Sequence, residues 1–301
     1  MLLIKHILVA TDFCPISTIA LRHALSIARR CQSKLSLLHV IDAPFYGMTP
    51  DGLAAAVECA ERDAAQLVQQ LEDEGVLHGL TLEVTITVGS VWPAIRDALY
   101  EKNSGLLVLG THGRSGLGKF VLGSVAESAF REAPCPVLTV GPHVAKSKAS
   151  GVEAKHFLVP TDLSPESTNA LRYGMSLARA VGGDVLLLHV LNLRKNTNAE
   201  PRDPAGQVKA PMDQFLNQHP EAASMVTSRV EFGDPARVII KVAEQTRADL
   251  IVMGVRAWST DGPPMWQTAY EVLVQSRCPV LTMKAPALSA SDPKASAAVQ
   301  K

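Results

Sequence analysis

The chain contains the same sequence pattern twice, and this constrains its fold more than any other feature. Residues 6–40 align without a gap to residues 156–190, and each copy carries a Thr-Asp pair after its first apolar run, ending at Asp12 and Asp162. Self-similarity on this scale indicates a repeated structural unit. A chain of 301 residues has the length of two ordinary domains. We therefore expect two homologous domains.

Two later blocks repeat as well and place the end of each copy. The matched blocks are Leu106–Gly110 with Leu250–Gly254, and Cys135–Thr139 with Cys278–Thr282. Between the copies lies Pro142–Gly151, a polar segment whose composition is typical of a linker. The expected domains are residues 1–142 and residues 155–285.

Within each copy, short apolar runs alternate with helical patterns. In the first copy Pro15 opens a helix, and further helices are predicted over residues 51–74, 94–101 and 124–132. The predicted strands are Ile7–Ala10, Leu35–Val40, Leu82–Val88, Leu106–Leu109 and Val137–Val140. Apolar strands that alternate with helices are typical of a parallel sheet covered on both faces. The fold class is therefore α/β, and its ligands bind beyond the carboxyl ends of the strands.

The second copy has no obvious counterpart of the helix at residues 51–74. Its segment 193–220 is rich in Asn, Pro and other turn formers. We expect an unstructured connection there, with a partner-binding loop as the alternative, and we expect the tail 286–301 to be disordered.

Composition excludes several classes of protein. Lys plus Arg and Asp plus Glu both number 29, so the formal net charge is zero and a nucleic-acid binder is not expected. No apolar run approaches the ~20 residues of a membrane helix.

The five cysteines are scattered and form no Cys-x-x-Cys motif. Free thiols in a reducing cytoplasm are therefore expected rather than disulfides or a zinc site.

A cluster of glycines directly follows the fourth predicted strand. Gly110 and Gly113 come first, and Gly123-Ser124 stands where the next helix is predicted to begin. Glycines let a ligand approach the backbone, and the free N–H groups and dipole of a helix start favour a phosphate. We expect a phosphate site here. The alternative is a flexible loop with an ordinary serine cap.

The same segment contains a near-match to a Walker A loop. Residues 113–120 lack the Ser or Thr that would bind magnesium, because Phe120 stands in its place. We therefore reject a P-loop. Arg114, Lys119 and His112 are candidates for phosphate contacts, with a solvated charge as the alternative for the two basic residues.

The spacing Gly110-x2-Gly113-x9-Gly123-Ser124 resembles the ATP-binding motif of universal stress proteins. Further similarities are Val9–Asp12, Leu37–Val40 and Pro134–Leu138, and the resemblance covers nearly the whole chain twice. It implies a tandem universal stress protein. Each domain would hold a five-stranded parallel sheet in the order 3-2-1-4-5, flavodoxin-like or Rossmann-like in winding, with helices on both faces.

The resemblance also implies an adenine-nucleotide site in the first domain. The matching positions are Ala10, Thr11, Asp12, Val40, Gly110, Gly113, Gly123, Ser124 and Val125. The residues after the first strand would line the adenine and ribose, and Val40 would offer backbone groups to the adenine edge. The glycines and the helix start would hold the phosphates, with Arg114 as a further contact. Asp12 has the alternative role of a helix cap, and His39 and His189 are expected to be hydrogen-bonded structural residues.

The second copy departs from this motif. Aligning Gly254 with Gly110 places Ala257 opposite Gly113 and Gln267 opposite Gly123, and two Trp and two Pro residues add bulk between them. We expect ATP to bind in the first domain and not in the same way in the second, where only the adenine side survives at Pro160–Asp162.

The implied function is that of an ATP-binding switch or adaptor in the stress response, with or without Mg²⁺. The resemblance further implies that the fifth strands of the two domains pair, which leaves a homodimer of chains open and the protein partner unknown. One alternative is a slow ATP hydrolase, which needs a base and a metal-binding carboxylate. Only Asp12 and Glu127 stand near the loop, so we expect at most a weak ATPase. The other alternative is a structural protein that binds no nucleotide.

Overall fold

The structure is a computed structural model that describes residues 4–42, 49–111, 122–144, 154–192, 204–217, 224–256 and 267–284. The first half contains β1 (His6–Thr11), α1 (Pro15–Cys31), β2 (Lys34–Ile41), α2 (Pro50–Asp73), β3 (Leu82–Val88), α3 (Val91–Glu101), β4 (Leu106–Gly110), α4 (Ser124–Glu132) and β5 (Val137–Val140). The second half contains β6 (His156–Thr161), α5 (Pro165–Val181), β7 (Asp184–Leu191), α6 (Pro204–Asn217), β8 (Val226–Phe232), α7 (Pro235–Gln245), β9 (Leu250–Val255), α8 (Gln267–Gln275) and β10 (Val280–Lys284).

The ten described strands form one continuous sheet rather than two separate ones. Its order is β3-β2-β1-β4-β5-β10-β9-β6-β7-β8, and the pairs within each half are parallel. The expectation of two separate five-stranded sheets is wrong because β5 and β10 pair antiparallel, with Leu138 opposite Leu281. The expected pairing of the fifth strands is confirmed. It covers two strand edges that would otherwise expose unpaired backbone groups.

Side chains reinforce this joint between the halves. The Thr139 hydroxyl donates to the Val280 carbonyl at 3.1 Å, and the Thr282 hydroxyl donates to the Val137 carbonyl at 3.4 Å. Both threonines are buried. Each half thus binds the backbone of the other at the centre of the sheet.

The two halves also share apolar packing. On one face, α1 and α5 contribute Leu21 and Leu171 to a single cluster that spans both halves. On the other face, Phe130 of α4 packs in the cluster of the second half, and Val274 of α8 packs in that of the first. The sheet is therefore the middle layer of one three-layer α/β structure.

The corresponding helices α1 and α5 begin with the same device. Each has proline at its first position. Proline has no backbone N–H, so no donor is left without an acceptor there. The Cys14 sulfur accepts the Ser17 N–H at 3.4 Å, and the Ser164 hydroxyl accepts the Ser167 N–H at 3.3 Å. Cys14, not Asp12, is therefore the cap of α1, and the alternative of Asp12 as that cap is wrong.

Helix α6 corrects the expectation of an unstructured connection. Residues 204–217 are helical although Pro211 lies inside the helix. Met212 of this helix is 1% exposed and belongs to the shared core, so tertiary burial outweighs the weak helical propensity of the segment. The remainder of the expected connection, residues 193–203 and 218–220, and the tail 286–301 lie outside the described residues.

Two further expectations can be compared with the structure. All five cysteines are free, as expected. Across the described residues, every helix is either too short or too polar to cross a membrane.

Candidate functional site

The strand order places a crevice at the carboxyl ends of β1 and β4. From β1 the chain moves outward to β2 and β3, whereas from β4 it moves the other way to β5. Ligands of open α/β sheets bind at such a reversal of strand order. We call this region the N-terminal crevice, defined by Ala10–Asp12, Val40, Gly110 and Gly123–Val125.

A tight turn after β1 positions Asp12. The Thr11 hydroxyl oxygen accepts the Phe13 N–H at 3.0 Å, and the Asp12 Oδ1 accepts the Cys14 N–H at 3.1 Å. Between them Phe13 has a φ of 60°, a left-handed conformation that non-glycine residues seldom adopt. Leu163, the counterpart of Phe13 in the second half, has a φ of 62°, so this conformation belongs to the repeated turn.

His39 and its counterpart His189 support this turn from the neighbouring strand. The Nδ1–H of His39 donates to the Thr11 carbonyl at 2.8 Å, and that of His189 donates to the Thr161 carbonyl at the same distance. The Phe13 ring lies 4.7 Å from the His39 ring between centroids. The expected role of both histidines as hydrogen-bonded structural residues is confirmed.

The start of α4 forms the other wall of the crevice. The Gly123 N–H donates to the Thr111 carbonyl at 2.8 Å, and the Thr111 N–H donates to the Val140 carbonyl at 2.9 Å. These backbone bonds tie the helix start to the ends of β4 and β5. Thr111 was not predicted as a site residue, because its contribution is made by the backbone and leaves no motif.

Helix α4 differs from most of the other helices in how its start is capped. Of the six helices with a described cap, four are capped by a side chain, from Cys14, Thr49, Ser164 and Asp234. Gly123 and Ser90, at the starts of α4 and α3, provide no side-chain cap hydrogen bond. Only α4 of these two begins beside the β1–β4 reversal. Its first turn therefore offers backbone N–H groups and a positive dipole end to a ligand in the crevice.

Apolar residues from three elements line the same side of the crevice. Ala10, Val40 and Val125 all pack, partly buried, against one cluster between the sheet and helices α3 and α4. Tyr270 of the second half joins them, and its hydroxyl oxygen accepts the Leu122 N–H at 3.3 Å. The sequence motif could not include Tyr270, because it comes from the other repeat.

Several predicted contacts cannot be placed. Gly113, Arg114, His112 and Lys119 fall within residues 112–121, which lie outside the described residues. Over the residues that are described, no group of three or more His, Cys, Asp or Glu side chains is arranged to hold a metal ion.

The equivalent crevice of the second half holds an internal ion pair. The Arg256 guanidinium lies 3.3 Å from the Asp162 carboxylate, whose other oxygen accepts the Ser164 N–H at 3.0 Å. Partial burial acts to raise the pKa of Asp162, but hydrogen bonds from Ser164 and Ser167 and the charge of Arg256 bring that pKa below its ordinary value. An arginine of the chain itself thus neutralises the carboxylate that corresponds to Asp12.

Gly254 is retained in the second half for a packing reason. A Cβ atom at this position would lie 2.3 Å from the carbonyl carbon and oxygen of Glu166 in the first turn of α5. Only glycine allows the helix and the strand end to approach this closely. The glycine at the end of β9 therefore needs no ligand to explain it.

The helix boundaries correct the alignment of the second loop. Helices α4 and α8 begin at Ser124 and Gln267, and both are nine residues long. Gln267 therefore corresponds to Ser124, and Trp266 to Gly123, because Gly254 precedes α8 by 13 residues whereas Gly110 precedes α4 by 14. The placement of Gln267 opposite Gly123 is wrong, although the glycine and the serine are both replaced in the second half.

The fold is that of a doubly wound α/β protein whose strand order reverses at the N-terminal crevice. The chain belongs to the universal stress protein family, whose model matches residues 3–141 and again residues 153–284.

Individual relatives match the chain over one repeat or more. The universal stress protein of Methanocaldococcus jannaschii is 29% identical over 140 residues, which cover 46% of this chain and 82% of that protein. A universal stress protein of Mycolicibacterium smegmatis is 31% identical over 191 residues, 61% of this chain and 63% of that protein. The crystal structure of a universal stress protein from Archaeoglobus fulgidus superposes with a TM-score of 0.70 at 23% identity and covers 93% of this chain and 96% of the other. This last similarity supports the fold of the whole chain.

Proposed function

We propose that the first half binds ATP in the N-terminal crevice and that the protein acts as a nucleotide-dependent switch or adaptor in the stress response. The observation that carries this proposal is the start of α4 at Gly123. It has no side-chain cap hydrogen bond and lies at the β1–β4 reversal. The N–H groups of the first helical turn provide the donors that a phosphate accepts.

The other side of the crevice suits a nucleoside. Ala10, Val40 and Val125 present a partly buried apolar wall against which a base can pack. The β1–β2 ladder ends at the pair Thr11–His39, and Val40 follows it while still pairing with β3 on its other side. In this proposal the adenine edge binds on the side of Val40 that faces away from β3. Asp12 supplies a carboxylate oxygen as an acceptor for ribose hydroxyls.

The second half would not bind ATP in the same way. Arg256 forms an ion pair with Asp162, so the carboxylate that the ribose would use already has a partner. Gln267 stands where Ser124 stands in the first half, and its amide donates to Glu271 at 2.9 Å. The proposed stoichiometry is one ATP per chain.

Binding rather than turnover is proposed as the function. Asp12 already accepts a backbone N–H from Cys14, and Glu127 lies 3.5 Å from Arg131 in an i,i+4 ion pair. Neither carboxylate is therefore placed as the base that hydrolysis requires. The nucleotide would instead stabilise the bound conformation by mass action and so alter affinity for a partner, in a cytoplasm that supplies both ATP and a reducing environment.

Calorimetry with ATP on the wild type and on Gly123→Gln tests the proposal. Gly123 has φ −63° and ψ 150°, which glutamine adopts without strain, so the substitution adds a side chain at the start of α4 without requiring a new backbone conformation. We expect Kd to rise at least about tenfold, equivalent to about 1.4 kcal/mol. Ser90→Gln, at the other helix start without a side-chain cap, should leave Kd unchanged.

Equal ATP affinity in the wild type and Gly123→Gln would refute the phosphate assignment. Steady-state phosphate release that is abolished by Gly123→Gln would instead favour the hydrolase.

A further inference from the structure

A cavity lies at the opposite, amino-terminal edge of the sheet, in the second half. Its volume is about 370 Å³, and it lies between the first residues of β6–β8 and the chain that follows α7. Its polar lining includes His156, Asp184, Thr227, Arg229 and Thr246. We call this cavity the basal pocket.

Strand register identifies the corresponding place in the first half. His156 pairs with Asp184 and Leu186 with Thr227. In the first half the same positions pair His6 with Lys34 and Ser36 with Glu83. The two regions can therefore be compared residue by residue.

In the first half this place holds a polar network, whose inner residues His6, Ser36 and Ser104 are buried and whose outer residue Glu83 is exposed. His6 is 6% exposed, and its Nε2 and Nδ1 lie 2.9 Å from the Ser36 hydroxyl and 2.8 Å from the Ser104 hydroxyl. Ser36 donates to the Glu83 carboxylate at 3.1 Å, so Ser36 accepts the Nε2–H of His6. The ammonium of Lys102 donates to the other oxygen of Glu83.

The second half lacks the carboxylate and the ammonium of this network. Thr227 replaces Glu83 and Thr246 replaces Lys102. Leu186 and Ala248 replace the two serines in the same way. The basal pocket thus lies at the position where the partly exposed Glu83–Lys102 ion pair lies in the first half.

The lining contributes one carboxylate and one guanidinium, each of which already has a partner in the chain. The Asp184 carboxylate accepts from the His156 Nδ1 at 2.8 Å. Arg229 contacts Glu231 through Nε, at 2.6 Å, and through Nη2, which leaves three of its five N–H donors for a ligand. The side chains of Asp184 and Arg229 are 61% and 39% exposed, so a solute can reach both.

We propose that the basal pocket binds a small zwitterion with one carboxylate and one ammonium group, a free amino acid being the simplest. Asp184 receives the ammonium, and Arg229 with the hydroxyls of Thr227 and Thr246 receives the carboxylate. The volume lies at the small end of the range of about 300–1,000 Å³ for ligand pockets, which suits a ligand of this size. The site is independent of nucleotide binding.

Titration with three matched probes, followed by amide NMR shifts, tests the charge requirement. L-Norleucine has both groups, hexanoate has only the carboxylate and pentylamine has only the ammonium. We expect norleucine to give saturable shifts at residues 227–229 and 246–248. Hexanoate and pentylamine should each bind at least about tenfold more weakly, because each loses a charged hydrogen bond.

Two variants locate the site. T227E/T246K introduces into the pocket the carboxylate and the ammonium that Glu83 and Lys102 provide in the first half, and should abolish the norleucine shifts. Arg229→Gln leaves the pocket open and should weaken norleucine at least about tenfold. No saturable shift with norleucine, unchanged binding in T227E/T246K with its fold intact, or hexanoate binding as tightly as norleucine would each overturn the proposal.

Discussion

Arg256 forms an ion pair with Asp162 across 3.3 Å, at the position that Asp12 occupies in the other repeat. The two halves share their strand order, and the turn after the first strand is held by the same side-chain hydrogen bonds in both. In the second half, an arginine from the end of β9 supplies a positive charge to this carboxylate. This ion pair underlies the proposal that the second half does not bind ATP in the same way.

Removing Arg256 should raise the pKa of Asp162. Partial burial already acts in that direction, and Arg256→Gln deletes the charge that opposes it, while the hydrogen bonds from Ser164 and Ser167 remain. A group with a depressed pKa stabilises the fold above its unfolded pKa, and that stability is lost as the pH falls through the folded value. As the pH is lowered below about 4, the free energy of unfolding of the variant should therefore begin to fall at a higher pH than that of the wild type.

NMR titration of the Asp162 carboxyl carbon measures this pKa. Arg22→Gln, which breaks an ion pair to Glu74, is the control. An unchanged Asp162 titration would contradict it.

The buried His6 should make the protein less stable in mild acid. Burial, chiefly, and the charge of Lys102 lower the pKa of His6, with Glu83 opposing them. The unfolded chain therefore takes up a proton at higher pH than the folded one, so stability is complete above about pH 6.5 and falls as the pH drops through that value.

His6→Gln should show a smaller loss of unfolding free energy between pH 7.5 and pH 5.5 than the wild type, as measured by urea denaturation. Burial also lowers the pKa of His189, so part of the pH dependence should remain. His156→Gln changes the corresponding, largely exposed histidine and serves as the control. The idea fails if His6→Gln retains the full pH dependence.

The threonine hydroxyls at the central joint should stabilise the association of the halves. T139V/T282V removes both hydrogen bonds across the β5–β10 pair at nearly constant side-chain size. At about 0.5–1.5 kcal/mol for each bond, unfolding free energy should fall by about 1–3 kcal/mol. Urea denaturation measures this against Thr85→Val, a change at an exposed residue of the edge strand β3. Equal stability of the two variants would show that the hydroxyls contribute nothing.

The sequence predicts most elements of the first half closely, because apolar runs and helix starts are local signals. Helix α4 and strand β5 lie at their predicted residues, Ser124–Glu132 and Val137–Val140. Helix α6 escapes prediction because burial of Met212 in the shared core, a tertiary effect, stabilises a segment of turn composition.

The site is less predictable than the fold. Asp12 and Gly123 follow from position and motif, whereas the contact of Tyr270 with Leu122 joins residues from different repeats. The pair of Arg256 with Asp162 likewise joins side chains 94 positions apart. The basal pocket can be related to the first half only through strand register, because it lies where Thr227 and Thr246 replace Glu83 and Lys102.

Native mass spectrometry of the full chain titrated with ATP tests the central claim most directly. The account predicts at most one ATP per chain in the wild type and in Arg256→Gln, and an at least about tenfold higher ATP concentration for half-occupancy in Gly123→Gln. Two ATP molecules per wild-type chain, or an undiminished single ATP in Gly123→Gln, would contradict it.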